Sequence, residues 1–380
     1  MNYAIGALWH LVPLLVGLSV LVFVHELGHY LVARWAGVRV EIFSIGFGPE
    51  LIGWNDGHGT RWRISAVPLG GYVMMFGDPN VASMPDGTED TLTPDERKVA
   101  LQHQPLPARA AIIAAGPVAN FLYAVVVSAV VFVAVGVPEI APSLPPIAET
   151  VGPDSAAASA GIQAGDQFLS VDGKPVSNFD DLVAAVRANN GEPMHFQIRR
   201  DGQEIAVTAT PEAVTDGDSA TGRRRLLGIG PRAVYVYTRH DPLESVELAA
   251  VNTWSLGMRM LRGVGEMLIG AQSARDVGGI ISAGVLLDNA AQEGGLVQFV
   301  LTTVIWSINL GLVNLFPIPV LDGGHLLFYA AEAVLGRPLG RRTQEYGFRI
   351  GLALVLTLMV FANGNDVVHR VIPFLRHLFT

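Results

Sequence analysis

The stretch "LVFVHELGHYLVA", residues 21–33, closes an apolar run that begins near Ala4. Two histidines and a glutamate stand where a membrane helix should still be in lipid. Ionisable groups at that depth are costly unless they face a partner or a cavity, so they mark a functional site. His25 and His29 are four apart and therefore share a helix face. Both imidazoles can reach one zinc ion, with Glu26 beside them to activate a water. This is the mechanics of H-E-x-x-H.

Working outward, composition frames the chain. Its 380 residues are 50% hydrophobic and only 16% charged, with a mean hydropathy of +0.40, too apolar for an ordinary soluble protein. A net charge of −9 argues against nucleic acid. Cysteine is absent, so a metal site must use His, Asp or Glu. Four apolar segments are expected to span a bilayer: about 4–24 running into the quoted stretch, 110–137, 294–321 and about 347–363. The first lacks a basic start and a cleavage site and reads as a retained span.

A catalytic zinc takes three protein ligands and leaves one position open. The best candidate for the third is Asp322 in "NLFPIPVLDGGH", 314–325, at the end of the third apolar segment. Pro317 and Pro319 break the helix there. Non-helical backbone at membrane depth is tolerated where it lines a protein cavity. Asn314 offers a polar side chain at the same place, either to hold a substrate carbonyl or oxyanion or as a helix–helix contact. His325 is not expected to be a ligand, and Glu332 is read as a structural polar contact.

"HELGH" and "NLFPIPVLDG", with "GPVAN" at 116–120, "FSIGFGP" at 43–49 and "VPLGGYVMMFGD" at 67–78, resemble the site-2 protease family of intramembrane zinc metalloproteases, in its regulator of sigma-E protease branch. The resemblance covers nearly the whole chain. It implies zinc bound by His25, His29 and Asp322, with Glu26 as general base. It also implies a β element dipping toward the site from the cytoplasmic side. Short runs such as "VEIFSIGF" and "RWRISAV" read as strands, with "PLGG" as a turn. An exposed edge there would hold an unwound substrate by strand addition, with Gly70, Gly71 and Tyr72 as expected substrate contacts. Asn120 is read either as shaping the substrate site, as the resemblance implies, or as packing. The implied substrates are pre-cut single-span proteins, such as anti-sigma factors, and remnant signal peptides.

The expected fold is a polytopic α-helical membrane protein: four transmembrane helices, the cytoplasmic-side β element and one periplasmic PDZ domain. Residues 1–137 carry spans 1 and 2 and the β region. Residues 138–213 hold a proline-rich linker and the PDZ-like segment, which either binds peptide in a groove along 147–151 and helix 179–189 or acts as a steric plug that binds none. Residues 214–293 read as linker, strand and an amphipathic helix, 242–269, which either lies on the outer membrane surface or serves as a packed connector. Residues 294–380 carry spans 3 and 4. Arg and Lys near the spans (Arg34, Arg39, Arg61, Arg63, Arg97, Lys98 and Arg109; then Arg337, Arg341, Arg342 and Arg349) place those loops in the cytoplasm of an inner-membrane protein. Two other functions were weighed: a PDZ scaffold without catalysis, which would need a broken motif, and a metal transporter, which would need ligands repeated along a path.

Overall fold

The structure, a computed structural model, describes residues 11–77, 92–153, 155–214, 224–232, 234–270, 278–292, 294–368 and 372. The chain divides into two compact units, Met1–Val133 with Asp241–Thr380, and Ala134–His240. Among the described residues four helices are long and apolar enough to cross a membrane. The first unit opens with one of them, α1 (Val12–Trp35). Its buried positions Leu14, Gly17, Leu21, His25 and Gly28 recur every three or four residues, a stripe along one helix face.

Strands β1 (Val40–Asn55) and β2 (Arg61–Met75) follow as a bent hairpin. Its turn falls at 56–60, while "PLGG" is a bend inside β2, where pairing jumps from Phe47↔Val67 to Ile45↔Gly71. Residues 42–45 therefore have neighbours on both edges: Ile42 faces Met74 and Arg61, and Ile45 faces Gly71 and Ile64. The segment 71–75 has a strand on one edge only among the described residues. Asp56 ties the hairpin to α1. One oxygen accepts from Tyr30 Oη at 2.8 Å and Trp62 Nε1 at 3.0 Å; the other accepts from the His58 and Thr60 amides. Trp62 stacks on Phe43 at 4.2 Å, and Tyr30 meets both rings edge-on. A short helix, α2 (Pro94–Val99), begins in a capping box of Thr93 and Glu96. The expected mobile loop before it lies largely outside the described residues. Helix α3 (Leu106–Ala134) carries Pro117 in its interior.

The second unit starts with β3 (Val137–Ile140) and β4 (Ala148–Val151). Then come α4 (Ala156–Ser159), β5 (Gln167–Val171), β6 (Lys174–Pro175) and α5 (Phe179–Ala188). The rest is strands: β7 (Met194–Arg200), β8 (Gln203–Ala209), β9 (Glu212–Val214), β10 (Arg224–Leu226), β11 (Ile229–Pro231) and β12 (Tyr235–Thr238). The main sheet has the order β6-β5-β7-β8, and β7 and β8 turn at Asp201 and Gly202, both at positive φ. Its core holds Phe168, Phe196, Ile198 and Leu182. Arg200 closes on the buried Asp166 at 2.6 and 2.7 Å. Strand β12 pairs with β3, so the two ends of this unit run side by side. The expected groove along 147–151 is corrected here. Strand β4 pairs with β11 on one edge; on the other, Ala148 and Phe168 bond with Asp166 and Pro146. Among the described residues β11 pairs with β4 alone.

The chain resumes the first unit with α6 (Pro242–Leu268), capped by Asp241, which accepts from the Leu243 and Glu244 amides. Of the two readings of this helix, surface-lying or packed connector, the structure shows the packed one. Leu256 and Met260 meet Ala124, Val304 and Ile308, and its last turns share a cavity of about 590 Å³ with Asn309, Leu312 and Phe316. The reason is a row of small residues, Ser245, Ala249, Thr253 and Gly257, spaced by four. Ser245 and Ala249 are fully buried. Such rows let helices approach closely in lipid. Helix α7 (Ile280–Gln292) precedes α8 (Gly295–Asn314). After a broken turn come α9 (Asp322–Leu335) and α10 (Arg341–Asp366). Glu332 on α9 takes a two-point contact from Arg109 on α3, at 2.5 and 3.1 Å.

Burial alone would raise the Asp56 carboxyl, but the donors from Trp62, Tyr30, Thr60 and His58 outweigh it and hold it well below the usual carboxylate range. A depressed folded value means the tie is at full strength above the unfolded value, about 4, and is lost as pH falls through the folded one. Asp56→Ala strands the Tyr30 and Trp62 donors. The expected loss is about 2 kcal/mol, seen as faster hydrogen exchange in 61–75 at pH 7.

Candidate active site

Two sequence features bring α1 and α3 together. A Cβ at Gly28 would overlap the Ala115 carbonyl, and one at Gly116 would run into the His29 and His25 rings. Glycine at both positions therefore lets α3 pass against the histidines. Pro117 cannot donate to the carbonyl four residues back, and its ring opens the preceding turn. In that turn the Ile112 carbonyl accepts from His29 Nδ1–H at 2.8 Å. This bond fixes the tautomer, so His29 presents the Nε2 lone pair.

Asp322 arrives from the other side. The chain leaves α8 at Asn314, turns through 315–321 and re-enters a helix at Asp322. Gly323 packs so closely on the Leu315 and Phe316 carbonyls that no side chain would fit. Val320 has φ 119°, a conformation costly for a β-branched residue and typical of functional sites.

The three ligand atoms form a near-equilateral triangle. His25 Nε2 lies 3.3 Å from His29 Nε2 and 3.2 Å from Asp322 Oδ2, and His29 Nε2 lies 3.6 Å from the same oxygen. A tetrahedral zinc with bonds of about 2.0–2.1 Å requires ligand–ligand edges of about 3.3 Å. Asp322 Oδ2 is buried and has no hydrogen-bond partner among the described residues, so its lone pairs are open to a cation. The donor set fits zinc.

Asn120 sits behind His25 and does not line the cavity. Its amide lies 3.0 Å from His25 Nδ1 and is fully buried, and its Oδ1 has no other partner. With the amide turned so that Oδ1 accepts from Nδ1–H, His25 also presents its Nε2 lone pair. The packing role weighed for Asn120 is met as well, since its backbone carbonyl accepts from Ser307 Oγ on α8. Of the two readings of Asn120, shaping the substrate site or packing, the structure places its side chain against His25 and away from the cavity lining.

A cavity of about 340 Å³ opens beside the triangle. Glu26, Asn314, Gly70, Gly71 and Tyr72 line it, together with His25, His29, Asp322 and His325. The edge segment 71–75 thus forms one wall. A Cβ at Gly71 would come within 3.2 Å of Glu26 Cγ, so glycine lets the strand run close beside the glutamate. Sequence reading missed the Ile112 carbonyl, the closeness of Gly116 to both rings, and His325 as a wall residue. The "GP" of "GPVAN" was the available signal for the first two.

A family model described as peptidase family M50 matches residues 13–358. The chain is 43% identical over 356 residues to a Rhizobium meliloti protein named "Putative zinc metalloprotease R01501", covering 92% of this chain and 94% of that one. It is 38% identical over 402 residues to "Metalloprotease MmpA" of Caulobacter vibrioides, covering 99% and 100%. It is 30% identical over 459 residues to "Regulator of sigma E protease" of Salmonella typhi, covering 95% and 99%. Among solved structures, the PDZ domain of an SdrC-like protein from Listeria monocytogenes aligns with 22% of this chain and 84% of that one, at 16% identity. Its TM-score is 0.20.

Replacing Asn120 by leucine removes the acceptor behind His25 and keeps the bulk. Chelator competition should then show zinc bound about 10–100-fold more weakly, whereas Asn120→Asp, which retains an acceptor, should hold it near the wild-type level.

Proposed function

The chain belongs to peptidase family M50 and is a zinc metalloprotease, and we propose that His25, His29 and Asp322 hold the ion while Glu26 serves as general base for hydrolysis of a peptide bond within the membrane. The observation that carries this reading is the triangle of 3.2–3.6 Å ligand separations opening on a cavity that Glu26 lines. A zinc ion there supplies a Lewis acid and lowers the pKa of bound water. Glu26 takes the proton of the attacking water and returns it to the leaving amine. The Asn314 amide donates to the substrate carbonyl oxygen. Gly70, Gly71 and Tyr72 hold the substrate backbone along the open edge of 71–75, by strand addition.

The substrates on this reading are transmembrane helices of single-span proteins already shortened by a first cut, with anti-sigma factors and remnant signal peptides as the expected classes. The relative named for sigma-E regulation supports the first class. The Arg and Lys distribution supports an inner-membrane orientation with the site toward the cytoplasm and the second unit in the periplasm. The element order of the second unit supports a single PDZ-like domain. That domain acts by admitting or excluding substrates, since the chemistry resides in the membrane helices.

Glu26→Gln should retain zinc and lose activity by about 100-fold or more; near-normal turnover would sink the assignment. Asp322→Ala should lose zinc, activity or both, and survival of both would move the ligand elsewhere. A third test replaces residues 141–234 with a short Gly/Ser linker and keeps the β3–β12 ribbon. The shortened enzyme should cut intact and outer-trimmed single-span substrates alike, whereas the full chain cuts mainly the trimmed one. Equal discrimination by both enzymes would place the filter outside this unit.

A further inference from the structure

We infer that His325 is a catalytic residue of this site: its imidazole N–H donates a hydrogen bond to the oxygen of the scissile carbonyl as that oxygen takes up negative charge. The inference rests on the proposed peptidase reading and adds a group that reading does not use. His325 lies three residues after Asp322 on α9, so it projects on the same side of the helix. It lines the same cavity as Glu26 and Asn314.

Its surroundings separate it from the other histidines of the site. His29 is held by the Ile112 carbonyl and His25 by Asn120. The His325 ring packs on Phe348, at 5.4 Å and a tilt of 58°, has Asp322 and His29 as its charged neighbours, and has no side-chain hydrogen bond to any described residue. A half-buried polar ring without a partner costs free energy until something satisfies it. It stands outside the trio whose ligand atoms all lie within 4.8 Å of one another, so it is not a further member of the ligand set. What remains within its reach is whatever occupies the cavity. An imidazole carries at least one N–H in either protonation state, so the role does not depend on its titration. Asn314 comes from α8 and His325 from α9, two donors fixed on different helices around one reacting carbonyl. Donors set in place before reaction are the basis of oxyanion stabilisation.

The test uses the full-length chain in detergent with a single-span substrate and two variants. His325→Leu fills the space beside Phe348 without a donor, and His325→Gln keeps an N–H. We expect His325→Leu to lower kcat about 100-fold, with KM within about twofold and zinc content and Tm unchanged. His325→Gln should recover about tenfold of that loss. A phosphinic peptide, whose tetrahedral anion imitates the charged carbonyl, should bind His325→Leu more weakly by a similar factor. Uncleaved substrate should bind equally well to Glu26→Gln with and without the second change. A kcat for His325→Leu within about threefold of wild type overturns the inference. So does an equal loss in both variants accompanied by lost zinc or lowered Tm, which would make His325 a packing residue. Glu26→Gln in the same assay separates the failures. If it is inert while His325→Leu is fully active, only this inference falls; if it turns over normally, the peptidase assignment falls with it.

Discussion

Three polar groups from two helices, His25 and His29 on α1 and Asp322 on α9, each bring one atom to within 3.6 Å of the others inside a largely apolar helix bundle. Water would disperse such a cluster, and lipid would penalise each member separately. Much of the first unit is explained by this convergence. Helices α1 and α3 touch through Gly28 and Gly116 because a methyl group at Gly28 would run into the Ala115 carbonyl and one at Gly116 would push the histidine rings away. Pro117 opens the turn whose Ile112 carbonyl orients His29. The broken stretch 315–321 exists because a continuous helix from α8 would carry Asp322 past the site. Its strain is concentrated at Val320, and the ion pair of Arg109 with Glu332 anchors the helix that follows.

The same constraint explains where the polar supports sit. Asn120 and Ser307 lie in the interior between α1, α3 and α8, each bonded to another buried group rather than to solvent. A half-satisfied network there would be worse than an apolar core. Removing one partner leaves a stranded donor or acceptor whose cost exceeds the bond that was lost. Supports of this kind set the tautomers, and the tautomers decide which nitrogen faces the cation. The chemistry of the site is thus written partly in residues that never touch the cavity.

The parts of this arrangement that follow from local geometry were legible in the sequence. His25 and His29 share a face by helical spacing alone, and Asp322 could be placed at their depth by counting along an apolar span. Three features were not legible, each because it depends on how one element is rotated against another. Asn120 could face the cavity or the back of a histidine with the same motif around it. Helix α6 has an amphipathic pattern with Arg259 and Arg262 along it, which reads equally as a surface helix. The small residues from Ser245 to Gly257 carried the deciding signal, since they matter only against a neighbour. Strand β4 pairs with β11, nearly eighty residues later in the chain, so its occupied edge could not be read from 147–151.

Hydrolysis within a membrane adds a difficulty that the site must answer with backbone as well as side chains. A substrate helix in lipid satisfies its amides internally, and opening a turn exposes several N–H and C=O groups at a few kcal/mol each. Under the proposed function, Glu26 and a metal can act only on a carbonyl that has been freed from its helix. The segment 71–75 is paired on one edge by 40–45, has no strand on the other among the described residues, and contributes Gly71, Tyr72, Val73 and Met75 to the cavity wall. Under the proposed function its second edge offers a row of backbone groups to the substrate. Gly71 lets that row pass close to Glu26, and Phe47 stacks on Tyr72 at 5.9 Å to stiffen the wall. Under the proposed function, each hydrogen bond lost on unwinding is replaced by one to this edge, and the unwound carbonyl is delivered where the general base stands. Asp56, by fixing the hairpin to α1 one residue from His29, keeps the edge and the ligands in a single rigid frame.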